Sequence, residues 1–425
     1  MNIIILYAGT EVLGGMETLI LRCSRFLKER GHNVTCIIKN ARPIRDLLQN
    51  LHVIEAGGLY KRLINPLIVS RFLRRHRLER VGMVLALDQR SALIAPLIAN
   101  SNQASGCVAF ASNWVPNYFV LQDLKPWHPM SLIQNWNLRL NYCPSTTLFM
   151  TREYIDQGRK LLGNDWSASL FPVPIEFAKF RQIERKPIPG RIVSIGRLSP
   201  MKEYNLYMID IVEELLKKGH DLTWDVYGSG EFEDEMHARI EKKGLAERIR
   251  MHGKIAYDEC PAILSQAMLF VGMGTAMLEA SAAGVPGVVA IAHDTLGQTH
   301  GPIHRFSYGN VGEIEQAKPL VSVAGELDRL LNMSPHEYEN ESRAVQAAAE
   351  HYDENVVMGL LLDATRKNPT RRTGFYSYAS TLALYDFVRS LAGLWWNPSD
   401  KKESFDKVAK VGPEAPSHEK TTLLQ

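Results

Sequence analysis

The chain opens on an unbroken apolar run, Ile3 to Tyr7, which predicts a buried strand. A glycine-bearing loop, Gly9 to Gly15, follows. Apolar residues then recur at Met16, Leu19, Ile20, Cys23, Phe26 and Leu27, the spacing of one helical face. Gly31 closes that helix, and Val34 to Ile38 predicts the next strand. A second unit of the same form begins near residue 191. It reads as strand Ile192 to Ile195, loop Gly196 to Pro200, a helix running to Lys218, and strand Leu222 to Tyr227. The helix ends correspond: Leu27-Lys28-Glu29-Arg30-Gly31-His32 against Leu216-Lys217-Lys218-Gly219-His220, one residue shorter. A third stretch, Cys260 to His293, predicts strand Met268 to Gly272, a helix from Thr275 stopped by Gly284, and strand Val288 to Ile291. Alternation of strand and helix indicates parallel sheets and an α/β protein. The repeated unit predicts two Rossmann-like halves.

A length of 425 residues also favours two domains, since one hydrophobic core rarely serves so long a chain. The expected linker is Phe171 to Gly190, which carries Pro172, Pro174, Pro187 and Pro189 among several charges. This divides the chain into an N-terminal domain over 1–180 and a C-terminal domain over 181–345. Residues 336–366 read as one or two helices, the stretch 346–366 crossing back to the first domain. The Trp- and Pro-rich segment 113–136 fits neither period and predicts long loops near the interdomain cleft.

The tail, 367–425, is different in character. Its nine Lys/Arg and six Asp/Glu leave an excess of three, the whole chain's net charge of +3. Residues 375–396 are rich in aromatics. A helix from Leu382 would set Leu384, Phe387, Val388, Leu391, Leu394 and Trp395 on one side, with Asp386, Arg389 and Ser390 opposite. Two uses of that face stand open. It could enter a lipid headgroup region with Trp396, aided by Arg371, Arg372 and Arg389, or pack on the protein itself or a second subunit. From Asn397 the tail is polar and reads as disordered.

Composition narrows the function classes. The near balance of 49 Lys/Arg against 46 Asp/Glu gives no basic field for nucleic acid. Cys23, Cys36, Cys107, Cys143 and Cys260 are odd in number and far apart, which suggests neither a disulfide frame nor a zinc site. A reducing, cytoplasmic setting follows. The opening run lacks a basic flank and a cleavage site, so it reads as a strand and not a signal peptide. No uncharged apolar stretch is long enough to span a bilayer.

Three places could carry chemistry. Glu279 is the one formal charge between Cys260 and His293. Such an isolated carboxylate needs partners. It either caps backbone amides near its helix start or accepts hydrogen bonds from ligand hydroxyls such as a ribose. The second place is Gly196-Arg197-Leu198-Ser199-Pro200-Met201-Lys202, where two cations follow a strand end. Ligands of parallel sheets bind at that edge, and paired cations suit a diphosphate. No Asp-x-Asp triplet suggests a metal–nucleotide site, so protein cations are expected to neutralise the anion, with no metal. The third is Gly14-Gly15 ahead of the first helix, where backbone amides can approach an anion. Gly228-Ser229-Gly230 is similar. His32 and His220 read as structural. His252, His293, His300 and His304 show no ligand spacing.

Taken together, these residues resemble a GT-B glycosyltransferase of family 4, the retaining, sugar-nucleotide-dependent group. The resemblance covers about residues 1–365. It rests on Gly14-Gly15-Met16-Glu17, Gly31-His32-Asn33-Val34, Gly196 to Lys202, Tyr227-Gly228-Ser229-Gly230 and Leu278-Glu279-Ala280-Ser281-Ala282-Ala283-Gly284-Val285-Pro286. It implies that the Gly-Arg/Lys loop binds the donor diphosphate, that Glu279 holds the ribose, and that Gly14-Gly15 meets the phosphates from across the cleft. Arg197 and Lys202 would then be catalytic. Gly196, Gly228, Gly274 and Thr275 would line the donor site, the last two through backbone amides. The donor is a nucleotide-diphosphate sugar used as substrate, with no resident cofactor. The expected acceptor is a glycan or, if the tail meets lipid, a lipid-linked glycan at the membrane's inner face. Two departures stand out. The family's Glu eight residues before Glu279 is Val271 here, and its N-domain His is missing from Val108 to Trp114, where Asn113 is the acceptor-side candidate. These departures leave a sugar-nucleotide epimerase or hydrolase, or an inactive membrane scaffold, as alternatives.

Overall fold

The fold is taken from a computed structural model, which describes residues 1–8, 15–41, 50–57, 66–78, 80–102, 106–111, 147–152, 154–156, 159 and 169–367. Gly14, Asn113, the segment 113–136 and the tail beyond Lys367 lie outside these residues. Strands β1 (Asn2–Tyr7), β2 (Asn33–Ile38), β3 (His52–Glu55), β4 (Val81–Ala86), β5 (Gly106–Ala111), β6 (Thr147–Phe149) and β7 (Ser169–Leu170) make a sheet in the order β3-β2-β1-β4-β5-β6-β7. Its pairings are all parallel. Helices α1 (Gly15–Glu29), α2 (Pro66–Arg75) and α3 (Gln89–Asn102) connect them. Ile4 and Leu6 of β1 pack with Val69, Leu73 and Ile98, while Ile3, Ile5 and Tyr7 pack with Ile20, Cys23 and Leu27. Both faces of β1 are therefore covered, which is why its sequence is apolar without alternation.

After the short helix α4 (Phe177–Arg181), the second sheet uses β8 (Arg191–Ile195), β9 (Thr223–Tyr227), β10 (Ile249–Gly253), β11 (Leu269–Gly272) and β12 (Gly287–Val289). Its order is β10-β9-β8-β11-β12, again parallel. Counted within its own half, the second sheet runs 3-2-1-4-5 and the first runs 3-2-1-4-5-6-7, each with a switch point between its first and fourth strands. Helices α5 (Tyr204–Lys217), α6 (Glu233–Lys242), α7 (Cys260–Ser265) and α8 (Thr275–Ala282) make the crossovers. The repeated helix end has one geometry in both halves. Gly31 and Gly219 take φ of 76° and 95°. His32 N–H donates to Leu27 O and His220 N–H to Leu215 O, while the two glycine amides reach Lys28 O and Leu216 O. This is a Schellman end, and its left-handed residue explains the glycine.

Some boundaries differ from the sequence expectation. The Pro-rich linker contains α4, because Phe177 and Phe180, three apart, are buried against the second core. β12 stops at Val289, although Ala290 N–H still donates to Gly272 O. Beyond it, β13 (Gln298–Thr299) and β14 (Val321–Ser322) form an unforeseen antiparallel pair. The chain ends its described part in α9 (Val323–Leu331), α10 (Pro335–Glu350) and α11 (Glu354–Lys367). α10 starts with a capping box between Ser334 and Glu337. Val357, Met358 and Leu361 of α11 bury themselves in the first core, beside α1. The outgoing and returning segments bond to each other, Ile175 N–H to Tyr352 O and Glu354 N–H to Ile175 O. Among the described residues no helix is long and apolar enough to cross a membrane.

Candidate active site

The loop after β8 is shaped by its neighbour after β9. Gly196 N–H donates to Tyr227 O (2.9 Å), Leu198 N–H to Ser229 O (3.1 Å) and Phe232 N–H to Leu198 O (3.2 Å). The approach leaves no room for side chains: a Cβ on Gly228 would overlap the Gly196 carbonyl, and one on Gly230 the Leu198 carbonyl. Gly228, expected in the donor site, thus has a structural reason of its own. Lys202 N–H donates to Ser199 O (2.7 Å), a turn that folds the lysine back over its own loop. Its ammonium occupies the space that a Gly196 side chain would take. Among the described residues that ammonium makes no ion pair. Burial, with the Arg197 charge beside it, pushes the Lys202 amine down to about 8. Arg197 itself is exposed at the rim. The Lys202 ammonium, held in no ion pair among the described residues and disfavoured by burial and the Arg197 charge, is a group that gains when an anion enters.

The neighbouring carboxyl-edge loops close around this point. Gly274, at φ 67°, is the N-cap of α8, and Thr275 begins the helix, half-buried. The connection from β11 is just Met273 and Gly274. Past β12 the chain returns to the lysine loop: His293 N–H donates to Met201 O (3.1 Å) with His293 in a left-handed φ of 59°. Asp294 holds that turn by accepting from Leu296 N–H (3.2 Å) and Gln298 N–H (2.7 Å). A non-glycine residue in this conformation carries strain, and strain concentrates where geometry is imposed. Sequence spacing gave no reason to select His293.

Glu279 is 5% exposed on α8 and is met by side chains. Its Oε1 accepts from Arg22 Nη2 at 2.6 Å and from the Tyr257 hydroxyl at 2.9 Å. No backbone amide of a described residue reaches it, so the amide-capping alternative is not what the structure shows. Oε2 accepts nothing from a described residue. Burial pushes the Glu279 carboxyl up, and the Arg22 charge opposes that shift. Sequence reading missed Arg22. A signal was present: Leu19, Arg22, Cys23 and Phe26 follow helical spacing, so Arg22 sits in the apolar stripe of α1, where a cation demands a buried acid.

The first half offers less. Gly15 is the first residue of α1, and Gly14 and Asn113 lie outside the described residues. Two acidic residues at its switch point had been given no role. Asp88, after β4, accepts from Ala8 N–H and Ser91 Oγ, both at 2.6 Å. Glu17 is buried and accepts from the Tyr7 hydroxyl at 3.1 Å. Val271, at the position of the family's sugar-contacting Glu, is wholly buried in β11 among core residues. Among the described residues no group of His, Cys, Asp or Glu is placed to hold a metal ion.

No curated protein sequence is significantly similar to the chain. Among solved structures, the lipopolysaccharide outer core galactosyltransferase WaaB in its apo form matches with a TM-score of 0.60 at 14% identity, over 86% of this chain and 99% of that one. Anabaena HepE, solved with UDP and glucose, matches at 0.59 and 16% identity, over 87% of this chain and all (100%) of the other. S. aureus TarM, solved with a glycan and UDP, matches at 0.57 and 13% identity, over 86% and 99%. The fold is GT-B, and residues 176–321, which hold the second sheet and the lysine loop, match the family model described as glycosyl transferases group 1.

Proposed function

We propose that the chain is a retaining family 4 glycosyltransferase. It moves a sugar from a nucleotide-diphosphate donor to an acceptor in cell-surface polysaccharide or lipopolysaccharide synthesis. One observation carries the reading: the Lys202 ammonium lies over Gly196, beside Arg197 and without an ion pair among the described residues, at the carboxyl edge of β8. The group 1 match over the same residues and the UDP bound by HepE and TarM support a sugar nucleotide as that anion.

In the reaction the bond between the sugar's anomeric carbon and the diphosphate oxygen breaks. The acceptor hydroxyl oxygen bonds to that carbon on the same face, and its proton leaves with the diphosphate. The chain's task is to lower the energy of the departing charge. Arg197 offers a fork and Lys202 a point charge for the diphosphate oxygens. Gly196, Gly274 and Thr275 offer backbone amides, the last two at the positive end of α8. Glu279 accepts from the ribose through Oε2. Gly14 and Gly15 on the donor side, and Asn113 on the acceptor side, are the candidates from the other half. In this reading the two protein cations perform the neutralisation. Closure of the two halves limits donor hydrolysis by excluding water.

The test is a melting-temperature panel with UDP, GDP, ADP and their sugar conjugates. A diphosphate at one hundred times its Kd adds about 2.7 kcal/mol, an upward shift of about 3 °C in a chain of this size. If no member of the panel raises the melting temperature, the reading fails. The acceptor is lipid-linked in this reading, with residues 375–396 at the headgroup level and the enzyme on the membrane's inner face. A chain truncated after Lys367 is then expected to lose sedimentation with anionic vesicles. Equal sedimentation of both forms removes the tail from the account.

A further inference from the structure

α1 belongs to the first sheet, yet one of its side chains is held by the linker and the second half. Arg22 is 3% exposed. Nη2 reaches Glu279 Oε1 (2.6 Å) and the Tyr257 hydroxyl (3.0 Å), and Nη1 donates to the Pro174 carbonyl at 2.5 Å. Its Nε is buried without a partner, so the guanidinium is oriented for these contacts at the expense of its third donor direction.

Every element at this junction brings charge. Arg25, also on α1, pairs with Glu176 of the linker (3.2 Å) and Glu354 of α11 (2.8 Å). Lys179 of α4 lies 4.3 Å from the Tyr257 ring centre and pairs with Asp258 (3.1 Å). The Glu176 carboxylate and the Cys260 thiol are the other titratable groups that act on Glu279, along with Arg22 and Tyr257. Of these, Arg22 alone supplies a cation in hydrogen-bond contact with the carboxylate.

We propose that Arg22 is a positioning residue: from the N-terminal half it holds Oε1 of Glu279, keeping the carboxylate ionised and leaving Oε2 for the ribose hydroxyls of a sugar nucleotide bound to the C-terminal half. The inference rests on the donor-site reading above. Its consequence is that donor recognition by one half requires the other half in place. A shift of α1 takes Arg22 from Glu279, and the carboxylate then loses the charge that makes it a strong acceptor. Donor binding and closure are thereby coupled through one side chain.

The experiment compares full-length wild type, Arg22→Lys, Arg22→Met and the double variant Arg22→Met/Glu279→Gln. Two readouts are taken between pH 5 and pH 7.5: urea unfolding, and calorimetric titration with UDP, GDP and ADP. In Arg22→Met, burial acts on Glu279 without the opposing Arg22 charge and raises its folded pKa further above the unfolded value than in wild type. Its stability is then expected to fall as pH rises through the folded value, while the double variant loses that dependence. The nucleoside diphosphate that binds wild type is expected to bind Arg22→Met about tenfold or more weakly at pH 7. The deficit should shrink as pH rises and Glu279 ionises. Arg22→Lys keeps the cation and should retain the wild-type unfolding profile. Should Arg22→Met not fold, Arg22→Lys carries the test, with UDP affinity within about threefold of wild type expected for one remaining charge-assisted bond. Matching unfolding profiles for Arg22→Met and the double variant overturn the proposal. So does wild-type nucleotide affinity in Arg22→Met, or an Arg22→Lys protein that binds as poorly as the double variant. If wild type binds none of the three nucleotides, the donor-site reading falls, and the unfolding profiles still decide whether Arg22 sets the charge on Glu279.

Discussion

Replacing Lys202 by Met is expected to abolish most transfer and, in the same protein, to raise the melting temperature of the free enzyme at pH 7. The two effects have one cause. The Lys202 ammonium is half-buried beside Arg197, and its amine is pushed down to about 8. An unfolded chain holds a lysine near about 10.4. The folded value is the lower one, so the folded protein binds that proton less well. The destabilisation is absent above the unfolded value, grows as pH falls, and is complete once pH has dropped below about 8. At pH 7 the charged lysine therefore works against the fold, and methionine, which keeps the length and drops the charge, relieves it. We expect a gain of a few degrees that vanishes near about pH 10.5. Turnover should fall by about 10²–10³-fold, the usual loss when one charge-stabilising donor is removed from a reacting site. Replacing Arg197 as well should bring transfer to background. Melting curves against pH and a donor turnover assay measure both. A Lys202→Met protein that melts lower than wild type and still turns over donor at its rate would show that the ammonium is a structural cation.

The contrast between Lys202 and Arg22 shows what a sequence can disclose about such a site. The loop containing Lys202 was legible because a strand ends there and two cations follow within seven residues, Gly196 to Lys202. Its folding back over Gly196 was not, since that depends on the turn to the Ser199 carbonyl and on the β9 loop alongside. Glu279 was legible as an isolated charge. Its partner lies 257 positions away and meets it only because α1 and α8 face each other across the junction of the halves. Long helices were read well because about four turns repeat the 3.6 period. α1 and α5 are of this kind, and their glycine ends follow from left-handed backbone. α4 has five residues between prolines, too few to show a period, and two buried phenylalanines hold it. β13 and β14 are two residues each and are fixed by tertiary pairing.

Gly228→Ala is expected to damage the site more than any other single-methyl change at its rim. The added Cβ would overlap the Gly196 carbonyl, backbone against backbone, so no side chain can turn aside. Neither loop is loose. Gly228 N–H is held by Gly253 O at 2.7 Å, and Gly196 N–H by Tyr227 O at 2.9 Å. Relief would require moving the β8 loop, and Gly196 is the surface against which Lys202 lies. The φ of 154° at Gly228 adds to the strain. Gly219→Ala is the control. It has φ of 95° but open space around its Cβ, so it isolates the conformational penalty, about 1–2 kcal/mol. Gly228→Ala should exceed it by about 1–3 kcal/mol of overpacking. It should also weaken diphosphate binding, which Gly219→Ala should leave intact because that helix end lies away from the carboxyl edge of the sheet. Urea unfolding separates the first pair of quantities, and nucleotide titration the second. Equal stability and equal affinity in the two variants would mean that the β8 and β9 loops are not locked together, and the placement of Lys202 over Gly196 would lose its physical basis.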